Sequence, residues 1–234
     1  MSTVNGTVGR TASVAAPANP HQLAVTTAAV NRAVRRDLDR FLDVLADPVT
    51  SVRRAALADH VGYVLDQLET LQRFQDDSLW PAVLAHRPHL ADLAEGAAQA
   101  HAGIAEPVAV LRQDALTWKR APITRTAART AARDLAFALE PVAGQDAETV
   151  PLACAMLPDH AAAGIEQAFP RPVGPTKVAR RLFWLLDDLP PAQAEQLLGP
   201  TPSWMLWVLR NGFSGAYNRA AYLMWFGGGN GPAV

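Results

Sequence analysis

A few polar side chains stand among apolar residues at positions where the sequence predicts buried helix faces. His101 lies in a run of alanines, and an imidazole titrates near neutral pH, which suits it to general acid–base catalysis. Asn31 and Gln75 carry amides, which orient a carbonyl or hydroxyl group or stabilise an oxyanion. His60 and Asp146 are further candidates. These five residues together predict a site for proton-transfer chemistry.

Helical periodicity predicts that three segments each send a polar group toward one axis. Positions 60, 64, 67, 71 and 75 are three or four residues apart, so His60 and Gln75 share one narrow arc of a helix. Asn31 and His101 lie on similar stripes of two other segments. Buried polar groups of this kind require partners inside the protein. The two stripes comprise Ala24, Ala28, Asn31, Val34, Leu38 and Leu42 in one segment, and Ala94, Ala97, Ala98, His101, Ala105 and Val108 in the other.

The elements that must position these side chains are helices. Alanine, leucine and arginine dominate and strand-like alternation is not sustained, so the sequence predicts an all-α fold. Thr50 or Ser51 can cap the second helix. Pro81 predicts a kink or a stop in it, and Pro141 with Gly144 should interrupt the fourth helix. Short connections between long helices favour an up-down-up-down four-helix bundle. The predicted helices cover residues 20–45, 51–85, 88–118, 122–140 and 147–157.

The sequence pattern changes after residue 157, where helix-breaking residues become more frequent and the helical stretches become shorter. A breaker-rich linker at residues 170–175 precedes three shorter predicted helices at residues 177–189, 191–198 and 203–225. We expect a bundle over residues 20–157 and a helical extension over residues 158–226, with disordered tails at 1–19 and 227–234. Aromatic residues of the extension should dock it on the bundle. They are Trp184, Trp204, Trp207, Tyr217, Tyr222 and Trp225.

Several short segments resemble the hemerythrin-like (HHE cation-binding) domains of actinobacteria. They are NRAVRRDLDRF from Asn31, QDDSLWP from Gln75, the alanine-rich surroundings of His101, ETVPL from Glu148 and WLLDDLP from Trp184. The resemblance extends over roughly residues 20–220 as a general similarity of sequence pattern with these short matching segments, and it includes no single diagnostic motif. It implies a four-helix bundle that binds two irons through histidines and carboxylates.

The implied metal ligands are largely replaced in this chain. The resemblance puts Asn31 at the first-helix histidine, Leu71 and Gln75 at the second-helix His and Glu, and Pro141 at the fourth-helix histidine. The position of the carboxylate that follows is taken by Gln145 or Asp146, depending on a one-residue shift. His101 alone stays as a ligand, and amides and leucine do not give iron the imidazoles and anionic oxygens it requires. We therefore expect no metal and no other cofactor.

Composition excludes several other classes of protein. The chain has 234 residues, of which 50% are hydrophobic and 18% charged, and a net charge of −1. Such a balance provides no basic field for nucleic acid or an anionic membrane. Cys154 is the only cysteine, so neither an internal disulfide nor a cysteine-based metal site can form. No apolar run reaches the length of a membrane span. We expect a soluble cytoplasmic protein, and the sequence leaves its oligomeric state open.

Two hypotheses of function follow. In the first, loss of the ligands leaves a mostly apolar central pocket in which His101 catalyses cyclisation, isomerisation, elimination or hydrolysis of a hydrophobic metabolite, in bacterial specialised metabolism. In the second, the pocket binds a small molecule or a partner without turnover, as a regulatory module. A residual iron- or oxygen-binding hemerythrin ranks third. We favour the enzyme because a buried polar cluster lowers stability and is seldom retained without a role.

Overall fold

The computed structural model describes residues 22–199, residue 201 and residues 203–226, and these residues form helices with no strand. The predicted tails at 1–19 and 227–234 lie outside this described part. No helix within it is long and apolar enough to cross a membrane. The helices are α1 Gln22–Val44, α2 Ser51–Phe74, a π-helical turn Gln75–Leu79, α3 Trp80–His86, a 3-10 turn Pro88–Leu90, α4 Ala91–Trp118, α5 Arg125–Met156, α6 Asp159–Ala168, α7 Pro175–Leu186, α8 Pro191–Leu198 and α9 Ser203–Trp225.

A widened helical turn replaces the kink or stop predicted at Pro81. Thr50 caps α2 as expected, since its hydroxyl accepts the backbone N–H of Arg53 at 3.3 Å. The chain then passes through the π turn into α3, with Pro81 in the first turn of that helix. Proline has no N–H to donate, so it is tolerated best at a helix start. The π turn carries Gln75 and Asp76, and such turns often occur at functional sites.

The predicted interruption at Pro141 and Gly144 is wrong, because α5 runs unbroken through both residues. A proline inside a helix costs about 3 kcal/mol, since one hydrogen bond is lost and the ring crowds the preceding turn. Here Pro141 is exposed, while Leu139 and Val142 beside it are buried in the core, and this packing offsets the cost. The unbroken helix carries Asp146 to a buried, inward position.

Helices α1, α2, α4 and α5 each pack against two of the others. Helix α1 contacts α2 and α5, and α4 contacts the same two helices. The predicted stripes are partly wrong, because Ala28, Ala98 and Ala105 are exposed, whereas Ile104 is buried on α4. The observed spacing is shifted by one residue from Ala105 to Ile104, which keeps His101 on the buried side of the helix.

The extension packs on α1 and α2, through α7, α8 and α9. Trp184 is fully buried, and Trp225 lies edge-on to His60 with ring centroids 5.3 Å apart. Arg53 on α2 donates to the backbone carbonyls at the end of α9, at 2.8 and 2.9 Å. Not all predicted aromatics dock, since Trp207 and Tyr222 are exposed. The Trp204 side chain lies outside the part of the chain that is described.

Candidate functional site

Four of the five predicted site residues come together from four different segments. Asn31 comes from α1, Gln75 from the π turn, His101 from α4 and Asp146 from α5, and all four are buried. Asn31 Nδ2 donates to Asp146 Oδ2 at 2.8 Å, and His101 Nε2 lies 4.0 Å from Asp146 Oδ1. We name Asn31, Gln75, His101 and Asp146 the axis cluster.

A fifth residue, which the sequence analysis missed, orients the histidine. Asp76 Oδ1 lies 2.8 Å from Nδ1 of His101. Asp76 follows Gln75 directly, and ordinary α-helical geometry would turn neighbouring side chains about 100° apart. Gln75 and Asp76 nevertheless both lie near His101. They belong to the π turn, in which the angle between successive side chains differs from that of an α-helix. Because nothing in the residue pattern marks a π turn, no sequence signal identifies Asp76.

The axis cluster leaves an unusual number of buried polar atoms without hydrogen-bond partners. They include Nε2 of His101, Oδ1 of Asn31, both amide atoms of Gln75, and the hydroxyl of Thr27, one helical turn before Asn31. Buried polar groups are almost always bonded to protein or water, and an unbonded one costs roughly 1–3 kcal/mol. Their concentration around one point indicates a place where a ligand or ordered water would supply the missing hydrogen bonds.

Burial sets the electrostatics of the axis cluster. It raises the pKa of Asp146, because the charged carboxylate is poorly solvated. The hydrogen bond from Asn31, the charge of His101 and the nearby Gln75 amide act in the opposite direction, while the charge of Asp76 adds to the rise. Burial outweighs the favourable contacts. The Gln75 amide thus faces Asp146, although neither of its polar atoms completes a hydrogen bond.

His60, the fifth predicted residue, is not part of the axis cluster. It precedes Gln75 by fifteen positions on nearly continuous helix, which corresponds to roughly 20 Å. Its Nε2 is hydrogen-bonded to Asp37 Oδ2 at 2.6 Å, and Trp184 Nε1 donates to the same oxygen at 2.8 Å. Arg36 Nε donates to Asp37 Oδ1 at 2.8 Å. We name Asp37, His60, Trp184 and Arg36 the junction cluster, since it joins the extension to α1 and α2.

The junction cluster has the opposite electrostatic balance. Burial alone would raise the pKa of Asp37, but the hydrogen bond and charge of His60, the charge of Arg36 and the hydrogen bond of Trp184 together lower it. The sequence analysis missed Asp37. A signal existed, because Asp37 interrupts an apolar series of helical spacing that includes Val30, Val34 and Phe41.

Two surface depressions reach the axis cluster. One of about 450 Å³ lies beside His101 and Asp76, and another of about 670 Å³ reaches Asn31 from the side of α1 and α5. The first differs from the mostly apolar pocket expected from the sequence, because its lining is mainly charged or polar. That lining comprises Glu69, Gln72, Arg73, Asp76, Ala98, His101 and Ala102.

The donor set does not fit a di-iron centre. Leu71 is buried where the resemblance implies a ligand, and Pro141 is exposed. The described residues contain no group of three or more His, Cys, Asp or Glu side chains able to hold a metal ion. Burial raises the pKa of Cys154 to about 12, which keeps this thiol protonated and unsuited to ligation.

Comparison with known proteins finds no matching family model, no matching curated protein and no matching solved structure. The resemblance to hemerythrin-like domains therefore rests on the sequence segments alone.

Proposed function

We propose that this protein uses His101 as a metal-independent general acid–base in a proton-transfer reaction on a small molecule held at the axis cluster. The asymmetry of the His101 ring carries the proposal. Its Nδ1 is hydrogen-bonded to Asp76 at 2.8 Å, whereas its buried Nε2 has no partner. A carboxylate on one ring nitrogen selects the tautomer and orientation, and leaves the other nitrogen for the substrate.

The separation of His101 and Asp146 supports a place for the reacting group. Their facing atoms, Nε2 and Oδ1, are 4.0 Å apart, which is too long for a direct hydrogen bond. One oxygen atom can nevertheless lie about 2.8 Å from both. In this proposal the unpartnered Nε2 of His101 takes a proton from the substrate, and the Asp146 carboxyl group that faces it returns one. The unbonded amide atoms of Asn31 and Gln75 would orient the substrate.

Cyclisation, isomerisation, elimination and hydrolysis all include such a proton transfer. The polar lining of the depression beside His101 favours a substrate with hydrogen-bonding groups over a purely hydrophobic one. A role in bacterial specialised metabolism and a cytoplasmic location stay predictions from the sequence.

We also propose that α1, α2 with α3, α4 and α5 form an up-down-up-down bundle of the hemerythrin-like type. The closed order of packing, α1 to α2 to α4 to α5 and back to α1, supports this arrangement. So does the convergence of Asn31, Gln75, His101 and Asp146, each at a position where the resemblance implies a ligand. In this proposal the replaced ligands created the axis cluster.

Binding without turnover is the second candidate, and one observation favours it. The depression beside His101 is open, and the Asp76 side chain is 35% exposed. Acid–base sites usually exclude water more completely. A regulatory protein that binds a polar ligand would not require that exclusion.

A proton-transfer probe tests the proposal without knowledge of the natural substrate. A nitrobenzisoxazole loses one C–H proton to a base; the N–O bond breaks, and a coloured phenolate with a nitrile forms. We expect the protein to accelerate this elimination in the presence of a metal chelator. His101→Gln should lower the rate about 100-fold or more.

His86→Gln is the matched control, because His86 is exposed and remote from the axis cluster. It should retain the rate of the unaltered protein. Equal rates in the unaltered protein and in His101→Gln would remove His101 from catalysis. No acceleration by the unaltered protein, together with a normal fold, would leave the binding function as the better account.

A further inference from the structure

A separate cavity lies between the bundle and the extension, away from the axis cluster. It has a volume of about 360 Å³ and is formed by residues of α2, α7 and α9. This volume falls near the lower end of the range for small-molecule sites, roughly 300–1,000 Å³. Its walls are largely apolar and include Phe183, Phe213, Tyr217 and Met224.

The cavity ends on the junction cluster, because His60 is one of its lining residues. Nε2 of His60 faces the Asp37 carboxylate at 2.6 Å. The other nitrogen, Nδ1, makes no hydrogen bond within the part of the chain described, so it is the ring atom that a ligand can engage.

A cationic residue, Arg180, lines the same cavity. The guanidinium of Arg180 stacks on the ring of Tyr63, 3.9 Å from its centroid, and forms no ion pair with a described carboxylate. The one acidic lining residue, Asp59, is engaged by Lys119. The Tyr217 hydroxyl donates to Asp187 at 3.3 Å, so this residue contributes mainly its ring.

We propose that this cavity binds a small apolar carboxylate, with its hydrocarbon part between Phe183, Phe213 and Met224 and its charged group toward Arg180 and His60. We infer a negatively charged ligand because Arg180 has no carboxylate partner among the described residues, whereas the acidic lining residue Asp59 is already paired with Lys119. The apolar lining also matches the hydrophobic ligand expected from the sequence, but at a different histidine. This site is independent of the reaction proposed at His101.

Isothermal titration calorimetry with octanoate and with octanol, its uncharged counterpart, tests the proposal. We expect octanoate to bind with a Kd about tenfold lower than that of octanol, because only the acid forms charge-assisted hydrogen bonds. Arg180→Gln should remove that preference without disturbing the fold, since Arg180 is exposed. Equal affinities for the two ligands, or an unchanged preference in Arg180→Gln, would overturn the proposal.

A second pair of variants tests the location. Ala216 is an exposed residue that lines the cavity, and Asn218 is an exposed residue of the same helix that does not line it. Ala216→Trp should weaken octanoate binding about tenfold or more by filling the cavity, whereas Asn218→Trp should leave it unchanged. Similar binding in both variants would exclude this cavity. His101→Gln should bind octanoate normally, so failure here and failure at the axis cluster can be told apart.

Discussion

The two buried histidines in the described part of the chain have carboxylate partners, but only the partner of His60, Asp37, has a completed set of hydrogen bonds to both of its oxygens. In the junction cluster both oxygens of Asp37 are bonded, and His60 accounts for one of these contacts. In the axis cluster Asp146 has one hydrogen bond from Asn31, and His101 Nε2 has none. The histidines are equally well buried, at 5% and 6% exposure, so burial does not explain the difference.

The contrast is between a carboxylate whose hydrogen bonds are complete and one whose hydrogen bonds are not. Completed networks lower the pKa of a buried carboxyl group, as at Asp37, and stabilise one packed arrangement. Where the network is incomplete, burial is the dominant influence on the carboxyl group, and it raises the pKa of that group, as at Asp146. An incomplete network lowers stability, so its presence at the convergence of four helical segments favours a role in binding or catalysis.

Asp37→Asn should have the largest effect on stability. An amide cannot accept hydrogen bonds at both terminal atoms, so its NH₂ group would face either the Arg36 guanidinium or the His60 and Trp184 donors. Breaking a buried charged network in this way costs about 3–5 kcal/mol. Urea unfolding near pH 7, followed by tryptophan fluorescence, measures the loss.

Asp39→Asn is the control for this comparison, because Asp39 is exposed on the same helix. Its free energy of unfolding should change by less than about 0.5 kcal/mol. If Asp37→Asn were as mild as Asp39→Asn, the junction cluster would not be the completed, stabilising network described above.

Gln75→Met should change stability in the opposite direction. The Gln75 side chain is fully buried, and neither of its amide atoms has a hydrogen-bond partner. Methionine has a similar volume and no strong polar group, so we expect a gain of roughly 1–3 kcal/mol in the free energy of unfolding. The same variant should weaken the reaction of the nitrobenzisoxazole. A loss of stability would show that the Gln75 amide is satisfied in solution, for instance by ordered water.

Helical periodicity was sufficient to predict most of the axis cluster. Asn31, Gln75 and His101 lie on buried stripes, and the structure brings them together with Asp146. The positions of α7, α8 and α9 were also predicted within a few residues, and prolines mark the starts of α7 and α8, whereas no helix bounds were predicted for α6. The same periodicity placed His60 with Gln75 correctly on one helix face, but it carries no information about how far along the axis two groups lie.

Local rules failed where tertiary packing decides the backbone. Pro141 predicts a break, yet α5 continues because its neighbours are buried on both sides. The π turn that brings Asp76 to His101 lies just before Pro81, and the sequence rule for proline predicts a kink or a stop there but no π turn. Asp37 could have been identified from its place in an apolar series, but its partner Trp184 is 147 residues away in sequence. Contacts over such separations cannot be read from spacing.

The effect of pH provides the finest test of the comparison. Asp37 has a lowered pKa in the folded protein, so its contribution to stability is present above the unfolded pKa, about 3.9, and is lost only as the pH falls through the lower folded value. Asp146 has a raised pKa, so its ionisation lowers stability as the pH rises from about 3.9 through the higher folded value. The two carboxyl groups therefore act in different pH windows.

Asp146→Asn should consequently be neutral or more stable than the unaltered protein by up to about 1 kcal/mol near pH 7, and this difference should vanish as the pH falls toward about 4. The loss in free energy of unfolding caused by Asp37→Asn should stay constant over the same pH range and become smaller only at lower pH. Urea unfolding of both variants at several pH values measures the two differences. Parallel pH profiles would mean that the two carboxyl groups share one kind of environment. An axis cluster that is incomplete, and available to a ligand, requires the profiles to diverge.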